Sequence, residues 1–238
     1  MRTLRAALLA AAAFILMITA APAAEQPVKL GITPIDVDGS YFDLTLAPGE
    51  QATLRVLLQN GGDAPVQART YAADAYSLVN GGMGVRLADE PVTGATQWID
   101  YPADVLDLPA QSQIEREITV RVPDDATAGD YLAGLVIQNA TPIAIGDSPT
   151  EEGIALNQVL RQVVAVAIDV PGPRVPGLEI GDAFHKAVGD RSIVGMAVGN
   201  TGNVHLQPAG ELVLRDGNGT EVSRAPVTMR SVYAHTDS

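Results

Sequence analysis

Between Gln51 and Asn60 the chain alternates cleanly. Ala52, Leu54, Val56 and Leu58 fall on one side; Thr53, Arg55 and Gln59 fall on the other. A period of two is the signature of a half-buried strand, and Asn60-Gly61-Gly62-Asp63 supplies the turn that ends it. Pro65 to Tyr76 predicts a second strand, with Val66, Ala68, Thr70 and Ala72 opposed to Gln67, Arg69 and Tyr71, before a turn at Asn80-Gly81-Gly82. The strongest pattern is Gln113 to Val122. Ile114, Ile118, Val120 and Val122 share a face that Arg116 interrupts, while Glu115, Glu117, Thr119 and Arg121 face water. Tyr131 to Gln138 and the β-branched run Leu156 to Val170 continue the series after the turn-rich Pro123–Asp130. Short strands separated by Gly and Pro predict an all-β protein of immunoglobulin-like β-sandwich type. Helix is expected at most for a turn or two, over Ala103–Leu108 and Ile154–Arg161.

Pro171-Gly172-Pro173 and Pro176-Gly177 divide the chain, because proline fixes φ and gives no ladder donor. The division predicts a first domain over 25–171 and a second over 174–238. In the second, short strands at Leu178–Phe184 and Ser192–Val198 precede a hairpin about Asp216-Gly217-Asn218-Gly219. A seven-strand sandwich needs about 100 residues. The second domain is therefore expected to be incomplete here, with closing strands and a membrane anchor following.

Residues 1–24 read as a secretory signal peptide. Arg2 and Arg5 precede an apolar run, and Ala21-Pro22-Ala23-Ala24 offers a cleavage site. The run is short against the roughly 20 residues of a membrane span. The net charge is −13, or −15 once Arg2 and Arg5 leave with the leader. So acidic a surface argues against nucleic-acid partners and against binding anionic polymers by bulk charge. Cysteine is absent, so an exported domain must rest on apolar burial rather than disulfides. That absence points to a Gram-positive type of cell.

Three stretches carry a family resemblance. The first is Tyr41-Phe42-Asp43-Leu44 with Pro48-Gly49-Glu50, Leu54-Arg55-Val56 and Asn60-Gly61-Gly62-Asp63. The second is Tyr71-Ala72-Ala73-Asp74-Ala75-Tyr76 with Asn80-Gly81-Gly82. The third is Val122-Pro123 with Ala128-Gly129-Asp130-Tyr131. In this order, over about residues 30 to 140, they resemble the WxL-interacting proteins of Gram-positive cell surfaces. The resemblance implies that the first domain binds peptidoglycan. It implies that the second, through Asn200-Thr201-Gly202-Asn203-Val204-His205 and Gly210–Gly217, engages a partner or host protein ahead of a transmembrane helix.

Candidate chemistry is sparse. His185, His205 and His235 lie 20 and 30 residues apart, which fits no metal-ligand spacing. Asp36 with Asp38, and Asp124, Asp125 with Asp130, do not follow the calcium-loop pattern. Gly146-Asp147-Ser148 begins like a nucleophile turn, but Pro149 follows and no helix opens. Asp104 and Asp107 form a conceivable glycosidase pair, yet aromatics make up 4% of the chain, too few to line a sugar cleft. No catalytic residue, cofactor or metal is expected. The glycan-binding candidates are Tyr76, Asn80, Trp98, Asp100 and Tyr101, because apolar sugar faces stack on aromatic rings and hydroxyls need fixed polar partners. Trp98 can instead plug the end of the sandwich. The expected role is a non-catalytic surface scaffold or adhesion protein that binds peptidoglycan and a WxL-type surface protein. The alternative is a periplasmic-chaperone-like module that adds strands to fibre subunits, with Arg161 or Arg174 as its carboxylate anchor.

Overall fold

The structure, a computed structural model, describes residues 29–78, 82–145 and 156–236. The expected leader, Asn80, and the segment containing Gly146-Asp147-Ser148 lie outside the described residues.

Among the described residues, twelve strands precede the proline link: β1 (Leu30–Ile35), β2 (Phe42–Thr45), β3 (Gln51–Asn60), β4 (Val66–Ser77), β5 (Met83–Val85), β6 (Ile99–Asp100), β7 (Val105–Leu108), β8 (Ser112–Arg121), β9 (Gly129–Asn139), β10 (Ile143–Ile145), β11 (Leu156–Gln158) and β12 (Arg161–Val170). They form an immunoglobulin-like β-sandwich. One sheet runs β1-β3-β8-β6, antiparallel throughout. The other runs β2-β12-β9-β4, with β5 and β7 pairing with the two ends of β4. Within it β2 lies parallel to β12. The alternating residues meet between the sheets: Val56, Leu58, Ile118 and Val120 from one side, Leu135, Ile137, Val166 and Ile168 from the other, each at most 1% exposed. Neither stretch read as possible helix is helical where described, and most of each is strand. Val105–Leu108 pairs with Val66–Arg69, and the second supplies Leu156–Gln158 and the start of β12. Leu106 and Leu108 turn inward at the strand period, and that burial outweighs local propensity.

The break at Arg116 has a physical reason. It lies opposite Val56, on the core-facing side of β8. Its guanidinium reaches across the sandwich to Asp104 at 2.8 and 3.1 Å and to the Thr70 hydroxyl at 3.0 Å. The bidentate pair lets a charge stand where an apolar residue is expected. Hydrogen bonding from Arg116 holds the Asp104 carboxyl below its usual range.

Beyond the link lie two hairpins, β13 (Leu178–Val188) with β14 (Arg191–Asn200), and β15 (Ala209–Arg215) with β16 (Glu221–Thr228). The second hairpin turns where expected, with Asp216 Oδ1 accepting from the Asn218 and Thr220 N–H groups. This unit repeats a corner of the first. At the end of β3, Asn60 Oδ1 accepts from Gly62 N–H at 2.9 Å, its amide donates to Ala64 O at 2.8 Å and to Leu108 O at 3.1 Å, and Val66 pairs with Leu108. At the end of β14, Asn200 Oδ1 accepts from Gly202 N–H at 2.9 Å. Its amide donates to Val204 O at 2.7 Å and Val232 O at 2.9 Å, and Leu206 bridges to Val232. The local offsets from the asparagine are the same in both corners, and Leu30↔Asn60 is mirrored by Leu178↔Asn200. In the first unit β8 covers the other side of β3; among the described residues β14 has no neighbour there. Ile180, Phe184 and Val222 are correspondingly more than half exposed.

Candidate functional site

A groove of about 600 Å³ opens on the outer face of β2, β12 and β9, walled on its far side by the second unit. Its floor is set by strand alternation. Phe42, Val166 and Ile168 point into the core, so their neighbours point out: Asp43 beside Ala167, Ala167 beside Leu132, and Asp169 beside Asp130. Alanine at 165 and 167 keeps the floor low. Tyr41, 48% exposed, stands at one side; His205 and Tyr233 come from the other.

Asp130 and Asp169 are cross-strand partners, and like charges so placed repel. Arg174, just past the link, bridges them. It donates to Asp130 Oδ1 at 2.8 Å and also bonds Asp169. The other oxygen of Asp130 accepts the His205 N–H at 2.8 Å. Asn203 completes the junction: its amide donates to Ala128 O at 2.8 Å and Pro173 O at 2.9 Å, while its Oδ1 accepts from Val175 N–H at 2.7 Å. Glycine is required at this seam. Gly129 has φ +150°, and a β-carbon there would lie 2.6 Å from Asn203 O. The segment 231–236 is pinned to the sandwich as well. The Tyr233 N–H donates to Ser77 Oγ at 2.9 Å, and Val232 and Ala234 are buried. His235 stacks on Tyr131, with centroids 4.5 Å apart and 6° between planes; Tyr131 meets Trp98 at 4.5 Å and 54°. Burial lowers the His235 pKa, against the pull of Asp130.

The candidates read from sequence do not share one surface. Tyr101 lies in the core. It is 5% exposed, its hydroxyl reaches Val136 O at 3.4 Å, and burial pushes its pKa up. Trp98 closes a 3-10 turn, Ala95–Trp98, and is half-buried against the core and Tyr131. Tyr76 lies across Gly84 on β5 with the Arg86 guanidinium 5.3 Å from its ring centre. Asp100 is exposed on β6, in the opposite sheet from Tyr76. Asn80 is outside the described residues. Asp74, between Tyr71 and Tyr76, is taken up by the 93–94 turn. Burial raises its pKa, and hydrogen bonds such as those from the Thr93 hydroxyl and N–H and the Gly94 N–H outweigh that and lower it.

Residues 29–139 match the family described as WxL Interacting Protein, peptidoglycan binding domain. The match supports placing this region in the WxL-interacting protein family. The matched region supplies Tyr41, Asp43, Asp130 and Tyr131 to the groove; Asp169, His205 and Tyr233 lie beyond it. The family domain binds peptidoglycan, which associates the protein with the cell wall, and no catalytic family is indicated. A search of curated proteins finds no significant match. Among solved structures, the class 5 fimbriae chaperone CfaA is similar at 14% identity, covering 86% of this chain and 82% of that one, with a TM-score of 0.38. The E. coli chaperone DraB is similar at 12% identity, covering 87% and 86%, with a TM-score of 0.37. A family 123 glycoside hydrolase from Clostridium perfringens is similar at 9% identity, over 60% of this chain and 27% of that one, with a TM-score of 0.37.

The groove residues escaped the sequence reading although two pairs, Tyr41 with Asp43 and Asp130 with Tyr131, sat inside the motifs that carried the resemblance. They share the groove with Tyr233, nearly 200 residues further along the chain than Tyr41, and no local pattern records that.

Proposed function

We propose that this WxL-interacting protein is a non-catalytic, exported surface scaffold. Its first domain, 25–171, binds peptidoglycan; its second, 174–238, engages a WxL-type surface protein. The family match over 29–139 carries the reading. The groove adds to it by presenting tyrosine rings beside carboxylates, groups able to stack on and hydrogen-bond a wall polymer. A strand-adding chaperone needs a cationic anchor for a terminal carboxylate. Arg174 already bridges two aspartates, Arg161 Nε donates to Gln138 Oε1 at 3.2 Å, and the groove between the units is acidic. The mature chain is expected to sediment with purified, polymer-stripped peptidoglycan and to be absent from immobilised pilin-like peptides. Capture by the peptides alone would reverse the assignment.

A further inference from the structure

We propose that the groove between the two units binds the side-chain ammonium of a diamino acid in a wall stem peptide, an inference that rests on the peptidoglycan reading above. Three carboxylates, Asp43, Asp130 and Asp169, line the groove. Arg174 neutralises one charge between Asp130 and Asp169, leaving the groove acidic. The Asp43 carboxylate is exposed on the outer face of β2 and accepts no hydrogen bond among the described residues. An ammonium has three donors and no acceptor, so it is complementary to such a carboxylate. An anionic wall polymer is repelled by the same charge.

The shape selects among amines. The floor is apolar and low, formed by Ala165, Ala167 and Leu132, with Tyr41 and Tyr233 at its sides. A methylene chain ending in an ammonium can lie along such a floor and present its charge at the rim, as long amphipathic side chains do. An amino sugar carries hydroxyls all around its ring and would leave them facing alanine and leucine.

The test is co-sedimentation of the mature protein with polymer-stripped peptidoglycan, native or with its free amines chemically acetylated. Acetylation is expected to weaken binding about tenfold, as loss of one charge-assisted hydrogen bond does. Asp43→Asn should produce the same loss on native wall, with an unchanged far-ultraviolet spectrum. A lysine-bearing stem tripeptide should compete, and a chitosan oligomer should not. Equal binding to both walls overturns the ammonium inference while the wall-binding role stands. Competition by chitosan alone overturns it in favour of an amino sugar. Failure to bind either wall removes both readings.

Discussion

Replacing Gly129 with valine is expected to part the second unit from the first while leaving the sandwich folded. The φ of +150° at this position is one that L residues rarely adopt, and its β-carbon would fall 2.6 Å from Asn203 O, 3.0 Å from Asn203 Cβ and 3.1 Å from His235 Nε2. Backbone and a stacked ring cannot both retreat, so the seam must open. Opening removes the Asn203 hydrogen bonds to Ala128 and Pro173, the Asp130 contact to His205 and the Tyr131–His235 stack. Several bonds of about 1 kcal/mol each are lost together. Trp98, the sole tryptophan, leans on Tyr131 and so reports the event directly. Its emission should shift to the red. Protease cleavage within residues 171–177 should quicken about tenfold or more, as an equilibrium opening cost above about 1.4 kcal/mol requires. Unchanged emission and cleavage would show that the seam does not depend on Gly129.

Asn60→Ala is expected to cost about 3–5 kcal/mol, whereas Asn200→Ala costs about 1 kcal/mol, on the scale for stranded polar groups. Asn60 is 2% exposed and serves three carbonyls and one N–H, at Ala64, Leu108, Pro109 and Gly62. Alanine leaves these groups without partners at a corner where β3, β4 and β7 meet. Asn200 makes the matching bonds in a half-buried setting, where water can replace them. Thermal unfolding should place Asn60→Ala about 10 °C below the parent, by the usual scaling for a chain of this size. Equal effects at the two positions would contradict the difference in burial between the two corners.

Much of the sandwich was legible because its strands alternate. Leu54, Val56 and Leu58 are buried as their spacing requires, and so are Ile118, Val120 and Val122. Ile114 belongs to the same face by spacing but is 40% exposed near the start of β8. In β4 the period of two misleads midway. Ala68 and Thr70 are buried as predicted, but Tyr71 and Ala73 are buried too, on the outer face with Val136. A covered outer face looks polar or apolar according to what lies over it, here Val85 of β5 and Val163 of β12. The same reason hides the site. Asp43 and Asp169 look like ordinary solvent-facing strand residues, and only the pairing of β2 and β9 with β12 sets them around one floor. The burial of Tyr101 was not legible either: an aromatic beside an acid reads as a surface contact, whereas its ring sits in the interior near Arg116.

The central claim, that the groove is where the wall polymer sits, is tested most directly by filling it. Ala167 points outward from β12 at the groove floor, between Asp43 on β2 and Leu132 on β9, while its neighbours Val166 and Ile168 hold the core. Ala167→Trp therefore adds a large side chain to the groove without touching the packing between the sheets. The quantity to measure is the dissociation constant for polymer-stripped peptidoglycan by co-sedimentation, with the unfolding temperature of each variant alongside. The account predicts binding weakened at least about tenfold, the cost of displacing one good contact, with the unfolding temperature unchanged. Wall binding equal to the parent in a folded Ala167→Trp protein would contradict it.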